Sequence, residues 1–367
     1  MTMIHKQQAM IEALVPAEIR AIQPYKVADA TGMVKLDAME NPWSWPESMV
    51  EDWMEQLRLV NINRYPSASA PQLKAAIRKQ MGVADGDDIL LGNGSDELIQ
   101  IISMMVSQSG RPIMAFEPSF VMYRMVAMWM GIPYVPVPLD GNFDINLSDT
   151  LVAIAAENPA VIFIAQPNNP TGNLFDLDSI KSIAAACDGL VILDEAYTAF
   201  SDSDLLPLLA EFPNVLVMRT LSKIGLAGLR LGMLIGSESW IAELDKYRLP
   251  YNINVLTQLS TEFAIKHFHV FEQQTQVICE NRAKLFDALG AMPELKVWPS
   301  AANFLLVKSE IVPARALFEA LKARGVLVKI LDGAHPLLAQ CLRINVSSDE
   351  ENAQLLDAMS LSLSELS

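Results

Sequence analysis

Along this chain, short runs of four or five apolar residues alternate with stretches in which apolar residues recur every three or four positions. Ile113-Met114-Ala115-Phe116, Val161-Ile162-Phe163-Ile164-Ala165, Leu190-Val191-Ile192-Leu193 and Val215-Leu216-Val217-Met218 are apolar throughout. Such runs predict strands buried on both faces. Between them, residues 95–107, 119–130, 147–157, 176–187 and 205–212 carry the helical period. Further strands are expected at 89–91, 134–137 and 231–235, with helices at 47–60 and 72–81. The alternation predicts an α/β fold, a mainly parallel sheet covered by helices on both faces. After Gly236 the pattern changes. Residues 237–248 and 255–289 read as helices, the second long enough to join domains. From Met292, strands at 296–297, 304–307, 326–330 and 342–345 and helices at 313–324 and 349–363 predict a smaller α+β unit. Residues 8–21 read as a short helix ended by Gln23-Pro24-Tyr25, and 33–36 as a strand. The expected division is an arm with part of the small domain over 1–44, a large domain over 45–290 and a small C-terminal domain over 291–367.

Composition narrows the classes. A chain of 367 residues, 51% hydrophobic and 19% charged, can build a large core and two domains. Its net charge of −16 argues against binding a nucleic-acid backbone. Cys187, Cys279 and Cys341 lie far apart with no CxxC pair, which predicts free thiols in a reducing compartment. The first thirty residues lack the apolar core of a signal peptide, and no apolar run is long enough to span a bilayer. A cytoplasmic protein with no membrane partner is therefore expected.

The chemistry collects where predicted strands end. Thr220-Leu221-Ser222-Lys223-Ile224-Gly225-Leu226-Ala227-Gly228-Leu229-Arg230 follows the strand at 215–218. A lysine whose pKa is lowered can hold an aldehyde cofactor as a Schiff base. Thr220, Ser222 and Arg230 suit a phosphate dianion. Read alone, Lys223 fits a solvated surface lysine equally well. Gly92-Asn93-Gly94-Ser95-Asp96-Glu97 opens a helix, and its glycines and exposed amides suit a phosphate. The plainer reading is a helix capped by Ser95. Gln166-Pro167-Asn168-Asn169-Pro170-Thr171-Gly172 offers Asn169 to a phenolate oxygen, although an ordinary turn explains the stretch alone. Asp194-Glu195-Ala196-Tyr197 places a carboxylate behind an apolar run, where it needs a partner. A protonated pyridine nitrogen is one such partner; a metal or a helix cap is another. No histidine or second acidic cluster stands at ligand spacing, so no metal is expected.

Together, Ser95 and Asp96, Asn169, Asp194 and Tyr197, and Lys223 match the phosphate, ring oxygen, ring nitrogen and aldehyde of pyridoxal phosphate. With these motifs and Glu40-Asn41-Pro42, Asn63-Arg64-Tyr65-Pro66, Pro118-Ser119-Phe120, Leu249-Pro250-Tyr251-Asn252, Ala302-Asn303-Phe304 and Leu342-Arg343-Ile344, the chain resembles the fold-type-I pyridoxal-phosphate aminotransferases over nearly its whole length. Within them it is similar to the histidinol-phosphate aminotransferases. The resemblance implies a large domain with a seven-stranded-type, mainly parallel sheet between helices. It implies a homodimer in which Tyr65 crosses to the partner's cofactor phosphate. Gly94 joins the phosphate site, Phe120 stacks on the cofactor ring, and Arg343 holds the α-carboxylate of glutamate. Tyr25, Asn41, Tyr251 and Lys329 become pocket residues. Three departures from the family pattern stand out. Phe120 replaces a tyrosine of many relatives, Arg230 follows Lys223 by seven residues rather than one more, and Lys329 stands where several members carry an arginine.

The implied reaction is a ping-pong transamination. Lys223 acts as base and acid, Asp194 sustains a cationic ring, and glutamate and 2-oxoglutarate exchange an amino group with histidinol phosphate and its keto form. The nearest alternatives keep the cofactor: an aromatic or other amino-acid aminotransferase, or a threonine-phosphate decarboxylase. A non-catalytic cofactor-sensing regulator would add a basic segment, which the acidic arm does not offer. A dinucleotide oxidoreductase would need a G-x-G-x-x-G after the first strand, and none is there.

Overall fold

The computed structural model describes residues 3–24 and 28–366. Its strands, in chain order, are β1 Val34–Leu36, β2 Asp87–Asn93, β3 Ile113–Glu117, β4 Tyr134–Pro138, β5 Val161–Ala165, β6 Leu190–Asp194, β7 Val215–Thr220, β8 Leu231–Ser237, β9 Leu295–Val297, β10 Phe304–Ser309, β11 Val326–Ile330 and β12 Cys341–Asn345. Seven of them form one sheet in the order β2-β8-β7-β6-β5-β3-β4. Pairing is parallel from β7 across to β4, and β8 runs antiparallel to both β7 and β2. The apolar runs divide by the period of two that a strand imposes. Ile162, Ile164, Val191, Leu193 and Val217 join the core on one face. Val161, Phe163, Leu190, Ile192 and Leu216 join the core on the other.

This topology places the chemistry. Parallel strands β2, β5, β6 and β7 end at the same edge, and the reversed strand β8 begins there. The Gly94 loop, the Asn169 loop, Asp194 and the Thr220–Lys223 loop therefore all open onto one crevice, as carboxyl ends of strands do in such sheets. Arg230, which precedes β8, is brought to the same edge.

A second sheet runs β1-β11-β12-β10-β9. β1, from the N-terminal part of the chain, pairs parallel with β11, so this sheet combines both ends of the sequence. The helix Phe268–Gly290 packs against the second sheet and also reaches the Lys223 loop.

Several helices differ from expectation. The arm helix is two pieces, Met3–Leu14 and Ala17–Ala21, interrupted at Pro16, whose ring cannot continue the first. The expected long helix is also two, Val255–Lys266 and Phe268–Gly290, separated at His267. At 205–212 only Leu208–Glu211 is helical, because Pro207 starts the turn late. Among the described residues, no helix is long and apolar enough to cross a membrane, and no group of three His, Cys, Asp or Glu could hold a metal ion.

Candidate active site

The Lys223 loop makes its turn within a few residues. Gly225 sits at φ 118, a conformation that L side chains rarely adopt, and a Cβ there would press on Asn41 at 3.2 Å and Phe271 at 3.3 Å. The side-chain amide of Asn41 donates to the Ile224 carbonyl at 3.0 Å and to Gln274 at 2.9 Å, bracing the loop from below. The Lys223 amine lies 3.4 Å from the Ala38 carbonyl and 5.8 Å from the centre of the Tyr197 ring. Burial, followed by the positive charge of Arg343, lowers its pKa to about 8. The amine therefore begins to release its proton near physiological pH, which brings the neutral form that covalent or proton-transfer chemistry needs within reach.

Asp194 is buried at the end of β6. Its Oδ2 accepts from the Tyr123 hydroxyl at 2.6 Å and its Oδ1 from the Ala196 amide at 3.1 Å. Burial pushes its pKa up to about 6, against the lowering effect of those two donors. Beside it, Tyr197 receives the side-chain amide N–H of Asn169 at 3.2 Å, and burial raises the Tyr197 phenol well above its usual range. Asn169 Oδ1 in turn accepts from Arg343 Nη1 at 2.7 Å, while Arg343 Nη2 donates to the Asp37 carbonyl at 2.7 Å.

The other end of the cleft is rich in donors. Thr220 and Ser222 hydroxyls lie 3.0 Å apart, and Arg230 reaches Asp96 at 3.4 Å. The helix Ser95–Val106 is preceded by Gly94 at φ 78, with no side-chain cap, so Ser95 does not serve as the cap that the sequence also allowed. A Cβ on Gly94 would lie 2.6 Å from Arg230 Nη2. The glycine thus leaves the space that the guanidinium occupies. One cleft is lined by Ser95, Asp96, Phe120, Asn169, Asp194, Tyr197, Thr220, Ser222, Lys223 and Arg230 together. A helix start without a cap, two hydroxyls and a guanidinium at one end, with a buried carboxylate and a low-pKa lysine beyond, is a donor set that fits pyridoxal phosphate.

A family model for aminotransferase class I and II matches residues 31–359. The chain belongs to the class I and II aminotransferase family. It is 48% identical over 342 residues, covering 93% of this chain and 95% of the relative, to histidinol-phosphate aminotransferase 2 of Nitrosococcus oceani. It is 48% identical over 349 residues, covering 95% and 98%, to histidinol-phosphate aminotransferase of Chromobacterium violaceum. Among solved structures, histidinol-phosphate aminotransferase from Sinorhizobium meliloti in complex with pyridoxal-5'-phosphate superposes with a TM-score of 0.86 at 24% identity, covering 97% of this chain and 99% of that one. The fold is therefore that of the fold-type-I aminotransferases.

In this aminotransferase the remaining expected residues sit at different distances from the cleft. Tyr65 is 82% exposed and stacks on Tyr251 with ring centres 4.6 Å apart. Tyr251 has φ 60 and is followed by Asn252, whose side chain donates to Leu91 and Glu97. That anchor joins the tyrosine pair to the loop that opens the phosphate end. Lys329 pairs directly across from Arg343 on β11 and β12, so two cations lie side by side on the second sheet. Tyr25 lies outside the described residues.

Several residues that matter here were not singled out in the sequence. Tyr123, the Asp37 and Ala38 carbonyls, and the Glu195–Arg219 pair all touch or brace the site. The Glu195 carboxylate is fully buried, 2.7 Å from Arg219, and also accepts from the Leu205 amide at 2.9 Å. A buried acid directly after Asp194 demanded a cation, but nothing in the sequence named Arg219 as that cation.

Proposed function

We propose that this chain catalyses pyridoxal-phosphate-dependent transamination between histidinol phosphate and 2-oxoglutarate. The observation that carries the reading is the gathering of Lys223, Asp194 and Asn169 in one cleft with a phosphate-suited end, with Arg343 hydrogen-bonded to Asn169. The curated relatives at 48% identity support the substrate. Pyridoxal phosphate, when bound, supplies an electron sink for the carbanion formed at the substrate's α-carbon.

The chain's own residues do the rest. Lys223, with its lowered pKa, accepts the α-proton and returns it. Asp194 would carry the negative charge that sustains a protonated ring nitrogen, and Asn169 with Tyr197 would donate to the ring oxygen. Phe120 would cover the ring. Ser95, Asp96 and Gly94 at the helix start, with Thr220, Ser222 and Arg230, would hold the phosphate end. Arg343 offers a fork to the α-carboxylate of glutamate and of 2-oxoglutarate during their turns. Lys329 draws the substrate phosphate as a point charge, and Tyr25, Asn41 and Tyr251 shape the pocket or brace it.

The reading includes a homodimer with shared sites. The exposed stacked pair Tyr65 and Tyr251, with exposed Leu59, Ile62 and Leu249 on the same two loops, supports it. Tyr65 would then complete the partner's phosphate end. Three free cysteines fit a cytoplasmic setting.

A half-reaction titration tests the function. Glutamate should bleach the visible band of the purified yellow protein, and imidazole-acetol phosphate should restore it. Restoration by phenylpyruvate with no response to imidazole-acetol phosphate would move the enzyme to the aromatic aminotransferases.

A further inference from the structure

Tyr123 belongs to none of the motifs that suggested the site, yet it is the side chain that touches Asp194. It lies on the helix Met122–Trp129, one layer below the cleft, and is fully buried. Its ring stacks flat on Phe163 with centres 4.6 Å apart and planes inclined by 7°, and Phe120 meets its edge at 5.6 Å. Two rings thus fix the phenol in direction. Its hydroxyl donates to Asp194 Oδ2 at 2.6 Å, the short distance of a charge-assisted hydrogen bond.

We propose that Tyr123 is the positioning residue for Asp194, holding the carboxylate in one orientation and in the ionised form that a protonated ring nitrogen needs as its partner. The proposal deepens the transaminase reading and rests on it. The physical need is plain. Asp194 is buried, and burial disfavours its charge; Asp96 adds like charge from another segment and Glu195 from the next residue, with Tyr197 close by. Against these, among the described residues, stand two donors, the Ala196 amide and the Tyr123 hydroxyl. The amide is fixed by the backbone. The hydroxyl is the donor that a side chain can supply or withdraw. Removing it moves the shared proton from the ring nitrogen toward Asp194 and leaves the ring a weaker electron sink.

The test uses Tyr123→Phe, which keeps both ring contacts and deletes one oxygen. Dissociation constants are measured on the full-length protein by fluorescence titration with pyridoxal phosphate and with its 1-deaza analogue, which carries C–H in place of the ring nitrogen. A lost hydrogen bond to a charged acceptor predicts about ten-fold weaker binding of pyridoxal phosphate or more, and no loss for the deaza analogue. Equal weakening for both ligands, or for neither, overturns the proposal, because a merely structural role does not distinguish nitrogen from carbon. Placing 3-fluorotyrosine at position 123 covers a Tyr123→Phe chain that does not fold. It keeps the ring and strengthens the donor, so the preference for pyridoxal phosphate over the analogue should rise, and an unchanged preference overturns the proposal. A wild-type protein that binds neither ligand removes the transaminase reading together with the proposal; wild-type binding with an unaltered variant removes the proposal alone.

Discussion

The guanidinium of Arg343, carried on the second sheet, donates to the side-chain oxygen of Asn169, carried on the first, at 2.7 Å. This bond joins the two sheets at the site itself, as the first link of a hydrogen-bond chain from Arg343 through Asn169 to Tyr197.

Arg343→Lys keeps the charge and loses the fork. Loss of a charge-assisted pair predicts that kcat/KM for glutamate falls by about 10- to 100-fold. Steady-state kinetics at varied glutamate reads it. An unchanged value would take Arg343 out of carboxylate binding.

Lys223→Met should leave no reducible bond between protein and cofactor and lower turnover by at least about 10²-fold. It also carries a pH signature in the cofactor-free protein. The folded pKa of about 8 lies below the usual lysine value of 10.5. Below pH 8 the amine is charged in both states and its burial cost is felt in full. Between 8 and 10.5 the folded state alone has released the proton, so wild-type stability rises with pH in that window. Lys223→Met should be the more stable protein at pH 7, with an advantage that shrinks toward pH 10 in urea unfolding.

Asp194 predicts the mirror case on the acid side. Its folded pKa of about 6 exceeds the ordinary 3.8, so the folded state holds a proton that the unfolded chain has lost between those values. Stability from this group is complete below pH 3.8 and is lost as pH rises through 6. Cofactor-free Asp194→Asn should therefore melt higher than wild type at pH 7, with the difference fading on acidification to pH 4. The same variant should bind pyridoxal phosphate more weakly. A variant that melts lower at pH 7 would show that the carboxylate is not under strain.

Arg219→Met strands the buried Glu195 without its cation. Breaking such a pair costs about 3–5 kcal/mol. Because Glu195 follows Asp194 and Arg219 precedes Thr220, the ends of β6 and β7 should loosen together. Denaturant unfolding measures the first effect and cofactor affinity the second. The double variant Glu195→Gln with Arg219→Met should recover part of the stability.

Tyr65 tests the assembly. Light scattering should give twice the chain mass of 40.4 kDa. Tyr65→Phe should keep the dimer and weaken cofactor binding about three- to ten-fold through loss of one hydroxyl. A monomer with full activity would remove the shared-site arrangement.

The legible part of this protein is the part written in short windows. Each strand-end motif lies within about eleven residues, so Lys223, Asp194, Asn169 and the Gly94 loop could be read as candidates before any fold was known, and the apolar runs at 161–165 and 190–193 marked the strands they follow. Helix ends were less legible. The break at Pro16 has a local cause in the proline ring that the helical period overrode, and a continuous apolar period hid the break at His267. The partnerships were not legible at all. Tyr123 meets Asp194 across 71 positions and Arg343 meets Asn169 across 174. Local pattern determined which residues could act, because periodicity and turn chemistry are properties of neighbours in sequence. Only the tertiary structure decided which charges are buried and who compensates them, because desolvation and pairing are properties of neighbours in space.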